Sequence, residues 1–178
     1  MSEPYSLYAR LSFAPGAFEA FLASTPVQPS AFGDWQAWFD QHRLVGDGRV
    51  PAGLLADIDV GRVADIFDAW QRDPALGMRP IDYDAATGVC RIAMLSASEN
   101  VEALLRLLAP LRGAAAWHRA EADDFIVVLD FLWGGEQLGA YVALRDGRSH
   151  LGTTVPPAHH AEAIDFLEHT LAAFEQGA

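Results

Sequence analysis

The sequence predicts an α+β fold in which an antiparallel sheet of about five to six strands carries helices packed on it. Three observations support this prediction: segments with period-two alternation, segments whose apolar residues recur every three or four positions, and short links between the last strands. Short links join antiparallel neighbours, since parallel strands need a long crossover. With 178 residues and a 51% hydrophobic share, the chain can bury one core, so residues 1–178 are interpreted as a single domain.

The N-terminal part of the chain predicts one strand followed by three helices. Tyr5–Phe13 alternates and forms the predicted strand, and Ser30 is the predicted cap of the second helix. The apolar stripes that define the three helices are Phe18, Phe21 and Leu22, then Phe32, Trp35, Trp38 and Phe39, and then Val63, Ile66, Phe67 and Trp70. Between the second and third helices, residues 41–62 predict a loop with one helical turn at Ala52–Ala56, because Gly, Asp and Pro interrupt any periodicity.

A hairpin and a fourth helix follow. Ile81–Leu95 contains the turn-forming segment Asp84–Gly88 and alternates after it, which predicts two paired strands. Ser96 and Glu99 have the spacing of a capping box and predict the start of a helix. The buried stripe of that helix is Val101, Leu104, Leu105, Leu108 and Leu111.

The C-terminal part predicts three strands and a last helix. The strands are Ala114–Ala120, Phe125–Trp133 and Gln137–Arg145, joined by an acidic turn and a Gly-Gly turn. Thr153 or Thr154 is the predicted cap of the helix. Its buried stripe is Ile164, Leu167, Leu171 and Phe174.

The charge balance excludes several classes of function. Asp and Glu number 24 against 12 positive side chains, all of them arginine, and the formal net charge is −12. Nucleic-acid binding normally requires a basic patch, so we do not expect a nucleic acid as a partner. Because the chain contains no lysine, a P-loop and Schiff-base chemistry are excluded as well.

The single cysteine and the apolar segments bear on the compartment. Cys90 excludes an internal disulfide and favours a reducing compartment, and its place in an alternating strand predicts a buried thiol. The N-terminus lacks the pattern of a secretion signal, and no apolar segment reaches the roughly 20 residues of a membrane helix. These features predict a cytoplasmic protein without membrane contact, and the composition is typical of a GC-rich bacterial gene.

An acidic segment invites comparison with a calcium loop. Asp57 and Asp59 begin such a run, but its fifth, sixth and twelfth positions carry Gly, Arg and Asp, where calcium loops have an oxygen ligand, Gly and Glu. Asp57, Asp65 and Asp68 are therefore interpreted as a solvated helix face.

The remaining titratable residues predict no catalytic or metal site. His159, His160 and His169 lie on the last predicted helix without the i, i+4 pairing of a helical zinc site, so surface histidines are expected. Asp123 and Asp124 are predicted to lie in an exposed turn, where a raised carboxyl pKa is difficult to produce. We therefore expect no catalytic residue, no metal and no cofactor.

One tryptophan stands apart from the predicted core. Trp133 ends a predicted strand directly before Gly134-Gly135, and it lies near the acids Asp130 and Glu136. An aromatic side chain exposed at the end of a sheet is a typical anchor for a protein partner.

Taken together, these features resemble the immunity proteins of bacterial polymorphic toxin and contact-dependent secretion systems. Those proteins are small, acidic and tryptophan-rich, and the nearest feature to a signature here is Phe131-Leu-Trp-Gly-Gly135 with its flanking acids. The resemblance implies a non-catalytic protein that binds and neutralises a cognate toxin or effector domain.

A physical argument leads to the same expectation. A toxin that acts on polyanions has a cationic cleft, and an acidic inhibitor is steered to it electrostatically. The expected partner is therefore a basic toxin or effector domain. The predicted partner-binding residues are Asp57, Asp59, Asp65, Asp68, Asp123, Asp124, Trp133 and Glu136.

Three alternatives remain open at the level of the sequence. The first is a module that binds a small molecule in a pocket lined by aromatic residues. The second is an enzyme that uses dispersed residues such as His118, Asp130 and His150. The third is a homodimer in which a second copy covers the excess aromatic surface.

Overall fold

The sheet has six antiparallel strands in the order β2-β3-β1-β4-β5-β6. It is seen in a computed structural model that describes residues 4–42, 49–59, 61–98, 100–134 and 137–177. The strands are β1 Tyr5–Ser12, β2 Asp82–Asp84, β3 Val89–Ser98, β4 Asp124–Leu129, β5 Leu138–Arg145 and β6 Arg148–Gly152. The described helices are α1 Ala17–Ala23, α2 Trp35–His42, α3 Val63–Arg72, α4 Val101–Gly113 and α5 Pro157–Gly177. The α+β prediction is therefore confirmed.

Alternation along the strands divides the core between the two faces of the sheet. In β1, Leu7, Ala9 and Leu11 belong to a cluster with the buried residues of α1 to α4, whereas Tyr8 belongs to a second cluster with α5. Successive side chains of a strand point to opposite faces, so one strand serves both layers. Fully burying an aliphatic side chain contributes about 1.5–3 kcal/mol before the entropy cost, so both faces stabilise the sheet.

The antiparallel order fixes which loops share an end of the sheet. We call the end at which β4 begins the Asp124 end, and the end at which β4 finishes the Trp133 end. The register places Arg10 of β1 against Phe125, and Leu144 of β5 against Asp124. The β5–β6 turn therefore lies at the Asp124 end. Six residues of strand separate the two ends by roughly 20 Å.

The β2–β3 hairpin confirms the predicted turn at Asp84–Gly88. The Asp84 carboxylate accepts hydrogen bonds from the Ala86 amide at 2.9 Å and the Thr87 hydroxyl at 2.7 Å. Gly88 has a φ of 70°, and a Cβ there would lie 2.3 Å from the carbonyl oxygen of Phe13. Only glycine fits at this position, because β1 passes directly beside the turn.

The predicted strand Ala114–Ala120 is wrong. The segment after α4 forms a 3-10 turn at Ala114–Ala116, and its bridge to the sheet is an isolated one, from His118 to Phe13 just after β1. Alanine favours helical backbone, and the last turn of α4 simply tightens at its end. Similarly, the predicted strand Phe125–Trp133 finishes at Leu129, and Phe131–Trp133 is a 3-10 turn.

The sixth strand was not predicted from the sequence. Arg148–Gly152 pairs with β5 alone and lies at the edge of the sheet. Its residues are exposed or partly buried, so it lacks the alternation that marks a strand buried on one face.

Three predicted helix caps are also wrong. Strand β3 continues through Ser98, so Ser96 is a strand residue, and α4 is capped by Asn100, whose side chain accepts a hydrogen bond from the Ala103 amide at 2.9 Å. Glu99 lies outside the described residues. Ser30 lies in a 3-10 turn at Pro29–Ala31, before α2. Helix α5 begins at Pro157, so the caps predicted at positions 153 and 154 are too early.

Cys90 is fully buried in β3, and burial raises the pKa of its thiol to about 12. The prediction of a buried thiol is confirmed. Within the described residues, no helix has both the length and the apolar character needed to cross a membrane.

Candidate functional site

The acids predicted to bind a partner are divided among several places. Asp57 and Asp59 are exposed in the segment before α3, and the structure gives neither an ion pair among the described residues. Asp65 pairs with Arg62 at 2.8 Å, and the Asp68 carboxylate pairs with Arg72, one helical turn later, at 3.4 Å. The face of α3 is thus electrically balanced, whereas the segment before it is not.

The prediction that Asp123 and Asp124 share an exposed turn is wrong. Asp124 is the first residue of β4 and is 1% exposed. Its carboxylate accepts hydrogen bonds from the Ser12 amide at 2.8 Å and the Ser12 hydroxyl at 2.7 Å. Burial raises the pKa of Asp124, and the two bonds from Ser12 partly oppose that shift. Asp123 is the exposed member of the pair.

The remaining two predicted residues belong to the β4–β5 link. Trp133 is 58% exposed at the Trp133 end of the sheet, and its neighbour Leu132 is 40% exposed. Glu136 lies outside the described residues. Asp123 and Trp133 flank the two ends of β4 and so lie roughly 20 Å apart.

His159 departs from the prediction of surface histidines. It is 4% exposed, and its ring stacks on Phe125 with a centroid distance of 4.0 Å. Nε2 donates to the Asp123 carboxylate at 2.7 Å, and in the neutral ring Nδ1 then accepts from the Tyr141 hydroxyl at 2.9 Å. Both ring nitrogens are engaged, and the chain Tyr141–His159–Asp123 holds the start of α5 against the sheet. The exposed histidine of this helix is His169.

A buried arginine joins the helical layer to the edge of the sheet. Arg112 in the last turn of α4 is 1% exposed. Its Nη2 donates to both oxygens of Asp34 at 2.7 and 2.9 Å, and its Nε donates to the Ser149 hydroxyl at 2.9 Å. The guanidinium carbon lies 4.1 Å from the ring centroid of Phe32 and 4.4 Å from that of Trp35. Burial lowers the pKa of Arg112, and Asp34 opposes that shift.

Arg112 also borders a cavity of about 470 Å³. This cavity, which we call the Arg112 cavity, is lined by residues before α2, by the end of α4 and by the start of β6. Its polar lining comes from Asp34, Arg112, Arg148 and Ser149, and its apolar lining includes Phe32. The volume falls in the range of small-molecule sites.

A second cavity of about 300 Å³ adjoins the first at the Asp124 end. The two share Ala115, Ala116 and Gly147 as lining residues, and His118 lines the second. Nε2 of His118 accepts a hydrogen bond from the Gly147 amide at 3.4 Å, while Nδ1 lies 3.7 Å from the Asp124 carboxylate. His118 and the buried carboxyl of Asp124 are thus close together, though not in hydrogen-bond contact.

The unsatisfied polar atoms single out this region. Among the residues that the structure describes, the buried side-chain nitrogens and oxygens without a hydrogen-bond partner are Nη1 of Arg112 and Nδ1 of His118. Leaving a buried donor unpaired costs roughly 1–3 kcal/mol, so such atoms call for an explanation. Each belongs to a residue that lines one of the two adjoining cavities.

The dispersed enzyme alternative gains no support from the positions of its residues. His118 lies beside Phe13 at the Asp124 end, whereas Asp130 follows β4 at the Trp133 end and accepts a hydrogen bond from the Gln137 amide. His150 is exposed within β6. In the described parts of the chain, no three His, Cys, Asp or Glu side chains are grouped as a metal site requires.

We expect Asp124→Asn to change how stability depends on pH. The pKa of Asp124 in the folded protein lies above its ordinary value of 3.8, which applies to the unfolded chain. Between the unfolded and the folded pKa, folding therefore takes up a proton. The contribution of Asp124 to the free energy of unfolding of the wild type therefore decreases as pH rises through that window. Asparagine does not titrate and keeps an acceptor for Ser12. The stability of the variant relative to that of the wild type should therefore increase as pH rises above about 4.

Urea unfolding from pH 4 to pH 8 measures this difference. Asp59→Asn is the control, since it removes an exposed carboxylate that forms no ion pair with a described residue. A difference between Asp124→Asn and wild type that stays constant over the whole range would contradict the raised pKa.

Comparison of the chain with models of protein families, with curated proteins and with solved structures finds no match.

Proposed function

We propose that this chain is a non-catalytic acidic protein that binds a basic protein partner and neutralises it, as bacterial immunity proteins do with a cognate toxin domain. The observation that carries the proposal is the exposed pair Leu132 and Trp133 at one end of the sheet of a chain with a net charge of −12. The proposal assigns separate tasks to the charge and to the apolar pair.

The apolar pair supplies the anchor. Trp133 is 58% exposed, although five of every ten residues in this chain are apolar and the other large side chains near the sheet are mostly buried. Tryptophan is enriched among the residues that dominate binding energy, and its large ring loses little conformational entropy on binding. Trp133 is the residue through which we expect the partner to be held.

The acids supply long-range attraction. Asp57 and Asp59 are exposed and lie outside the ion pairs of α3, and Asp123 adds an exposed carboxylate at the Asp124 end. These residues need not all contact the partner, because the field of the whole chain raises the association rate. Asp124 is left out of the contact surface, since its carboxylate is buried against Ser12.

The test begins with the reading frame that adjoins this one in the native genome, because an inhibitor is usually encoded beside its target. Its product should arrest growth when expressed alone, and co-expression of this chain should restore growth. The two purified proteins should also form a complex. Growth arrest that this chain does not relieve, or no arrest and no complex, would remove the proposed function.

Variants then test the anchor. We expect Trp133→Ala to weaken the complex by about 30-fold or more, the effect of losing a residue worth about 2 kcal/mol at an interface. Phe174→Ala is the matched control, because Phe174 is 42% exposed on α5. Equal affinities for the two variants would show that Trp133 is not the anchor.

Charge reversal separates steering from contact. Asp57→Lys combined with Asp59→Lys should lower the association rate constant and leave dissociation nearly unchanged, and raising the salt concentration should have the same effect. An association rate that is insensitive to salt would contradict the electrostatic part of the proposal.

A further inference from the structure

We propose that the Arg112 cavity is a binding site for a small organic carboxylate with an apolar body. This site is separate from the Leu132–Trp133 anchor and does not depend on the proposed partner. The proposal rests on the charge of the cavity, on its unpaired donor and on the division of its lining.

The sign of the local charge opposes that of the whole chain. The charged residues that line the cavity are Arg112, Arg148 and Asp34, which together carry one positive charge. The chain as a whole carries −12, so anions are repelled from most of its surface. A local excess of one positive charge matches a carboxylate better than a phosphate dianion, because a second negative charge would meet Asp34 uncompensated.

Both arginines that line the cavity have donors without acceptors. Nη1 of Arg112 is buried and has no hydrogen-bond partner, although the other nitrogens of the guanidinium bind Asp34 and Ser149. Arg148 is exposed and forms no ion pair with any described residue. A carboxylate can pair with the exposed guanidinium of Arg148 through charge-assisted bonds, and the buried positive charge of Arg112 beside it adds to the attraction.

The position of the guanidinium is fixed before any ligand arrives. It lies against the rings of Phe32 and Trp35, which meet nearly at a right angle, and Asp34 is itself held by the Leu151 amide at 2.9 Å. The positive charge of Arg112 is therefore already in place, so no entropy is lost in ordering this side chain when a ligand binds.

The remaining lining accommodates an apolar body. Phe32 offers an aromatic surface, and the other apolar lining residues are Val27, Ala31, Ala115 and Ala116. These side chains are small, so the space beside them admits a ring or a short aliphatic chain. The site therefore selects a carboxylate joined to an apolar group over an inorganic anion.

Benzoate is a suitable probe, and benzamide is its neutral counterpart of nearly equal shape. We expect the amide NMR signals of Gly113, Gly147 and Ser149 to shift with benzoate and to saturate with a dissociation constant on the order of millimolar. Benzamide at equal concentration and ionic strength should leave these signals in place. Shifts that do not saturate with benzoate, or that benzamide reproduces, would overturn the proposal.

Two arginine variants distinguish the site from diffuse surface charge. Arg148→Gln should weaken benzoate binding by about tenfold, whereas Arg145→Gln should have little effect. Arg145 lies opposite Arg148 in the β5–β6 hairpin but does not line the cavity. The two variants therefore lose the same charge at neighbouring positions, and only Arg148→Gln changes the lining. Equal weakening by the two variants would overturn the proposal.

A third variant tests the cavity itself without changing any charge. Ala116→Leu fills part of the lining at an exposed position and should abolish the benzoate shifts while the melting temperature stays near that of the wild type. Undiminished binding in this variant would place benzoate elsewhere. Phenyl phosphate completes the comparison: binding more than about tenfold tighter than benzoate would replace the carboxylate with a phosphate ester and so overturn the assigned class.

Discussion

Replacing Arg112 with methionine should lower the free energy of unfolding by about 3 kcal/mol, the low end of the usual cost of breaking a buried ion pair, because the Asp34 side chain is 33% exposed and regains hydration. Methionine keeps an apolar side chain against the rings of Phe32 and Trp35, but it leaves the Asp34 carboxylate without its cation. It also removes the hydrogen bond to Ser149, which joins α4 to β6. In a chain of this length the expected loss corresponds to a melting temperature lower by about 10 °C.

The same substitution on the exposed side of the helix provides the control. Arg106 pairs with Glu102 at 3.5 Å, and both side chains are about half exposed. Arg106→Met should therefore cost no more than about 1 kcal/mol. If the loss at position 112 comes from an uncompensated Asp34, the double variant Asp34→Asn with Arg112→Met should be less destabilised than the sum of the single variants. Equal stabilities for Arg112→Met and Arg106→Met would contradict the structural role of this ion pair.

Replacing Phe125 with alanine should cost about 3–5 kcal/mol, as truncation of a buried aromatic side chain usually does. Phe125 is fully buried in β4 on the side of the sheet that α5 covers. Its ring stacks on His159 at 4.0 Å, lies 5.7 Å from the ring of Tyr8 and supports the Arg10 guanidinium at 4.9 Å. The variant should therefore loosen α5 from the sheet in addition to lowering global stability.

Hydrogen exchange and chemical unfolding together measure both effects. Amides of α5 should exchange faster in Phe125→Ala, with smaller changes in α1, which lies on the other side of the sheet. Phe125→Leu should recover much of the stability, because it refills most of the volume but not the stacking on His159. Phe174→Ala, at a position that is 42% exposed, is the control for loss of an aromatic ring. A loss at position 125 no larger than that at position 174 would contradict the account of this cluster.

Local patterns were sufficient for most of the helices and for the first hairpin. The apolar spacing of Val63, Ile66 and Phe67 reports one face of α3, and these residues are buried as predicted. The turn at Asp84–Gly88 follows from side-chain hydrogen bonds within four residues and from one glycine with positive φ. Such features depend on neighbours in sequence, so sequence alone can reveal them.

The sequence predictions are wrong where a short segment has no periodicity and only its composition indicates a structure. The Ala-rich stretch after α4 has no periodicity of its own, so its backbone follows the preceding helix and not the sheet. The edge strand β6 has one paired neighbour and a largely exposed surface, so its sequence is not constrained to alternate. The sequence pattern does not distinguish Asp123 from Asp124, although adjacent residues entering a strand point in opposite directions.

The sequence by itself determined the acidity of this protein, its α+β pattern and the exposed position expected for Trp133. Only the tertiary structure decided that Asp124 is buried against Ser12 and that Arg112 is paired with Asp34, which precedes it by 78 residues. No local spacing encodes such a pair, because its partners meet only when α4, the segment before α2 and β6 pack around one point. The cavity beside Arg112 has the same origin, since its walls come from those three separate parts of the chain.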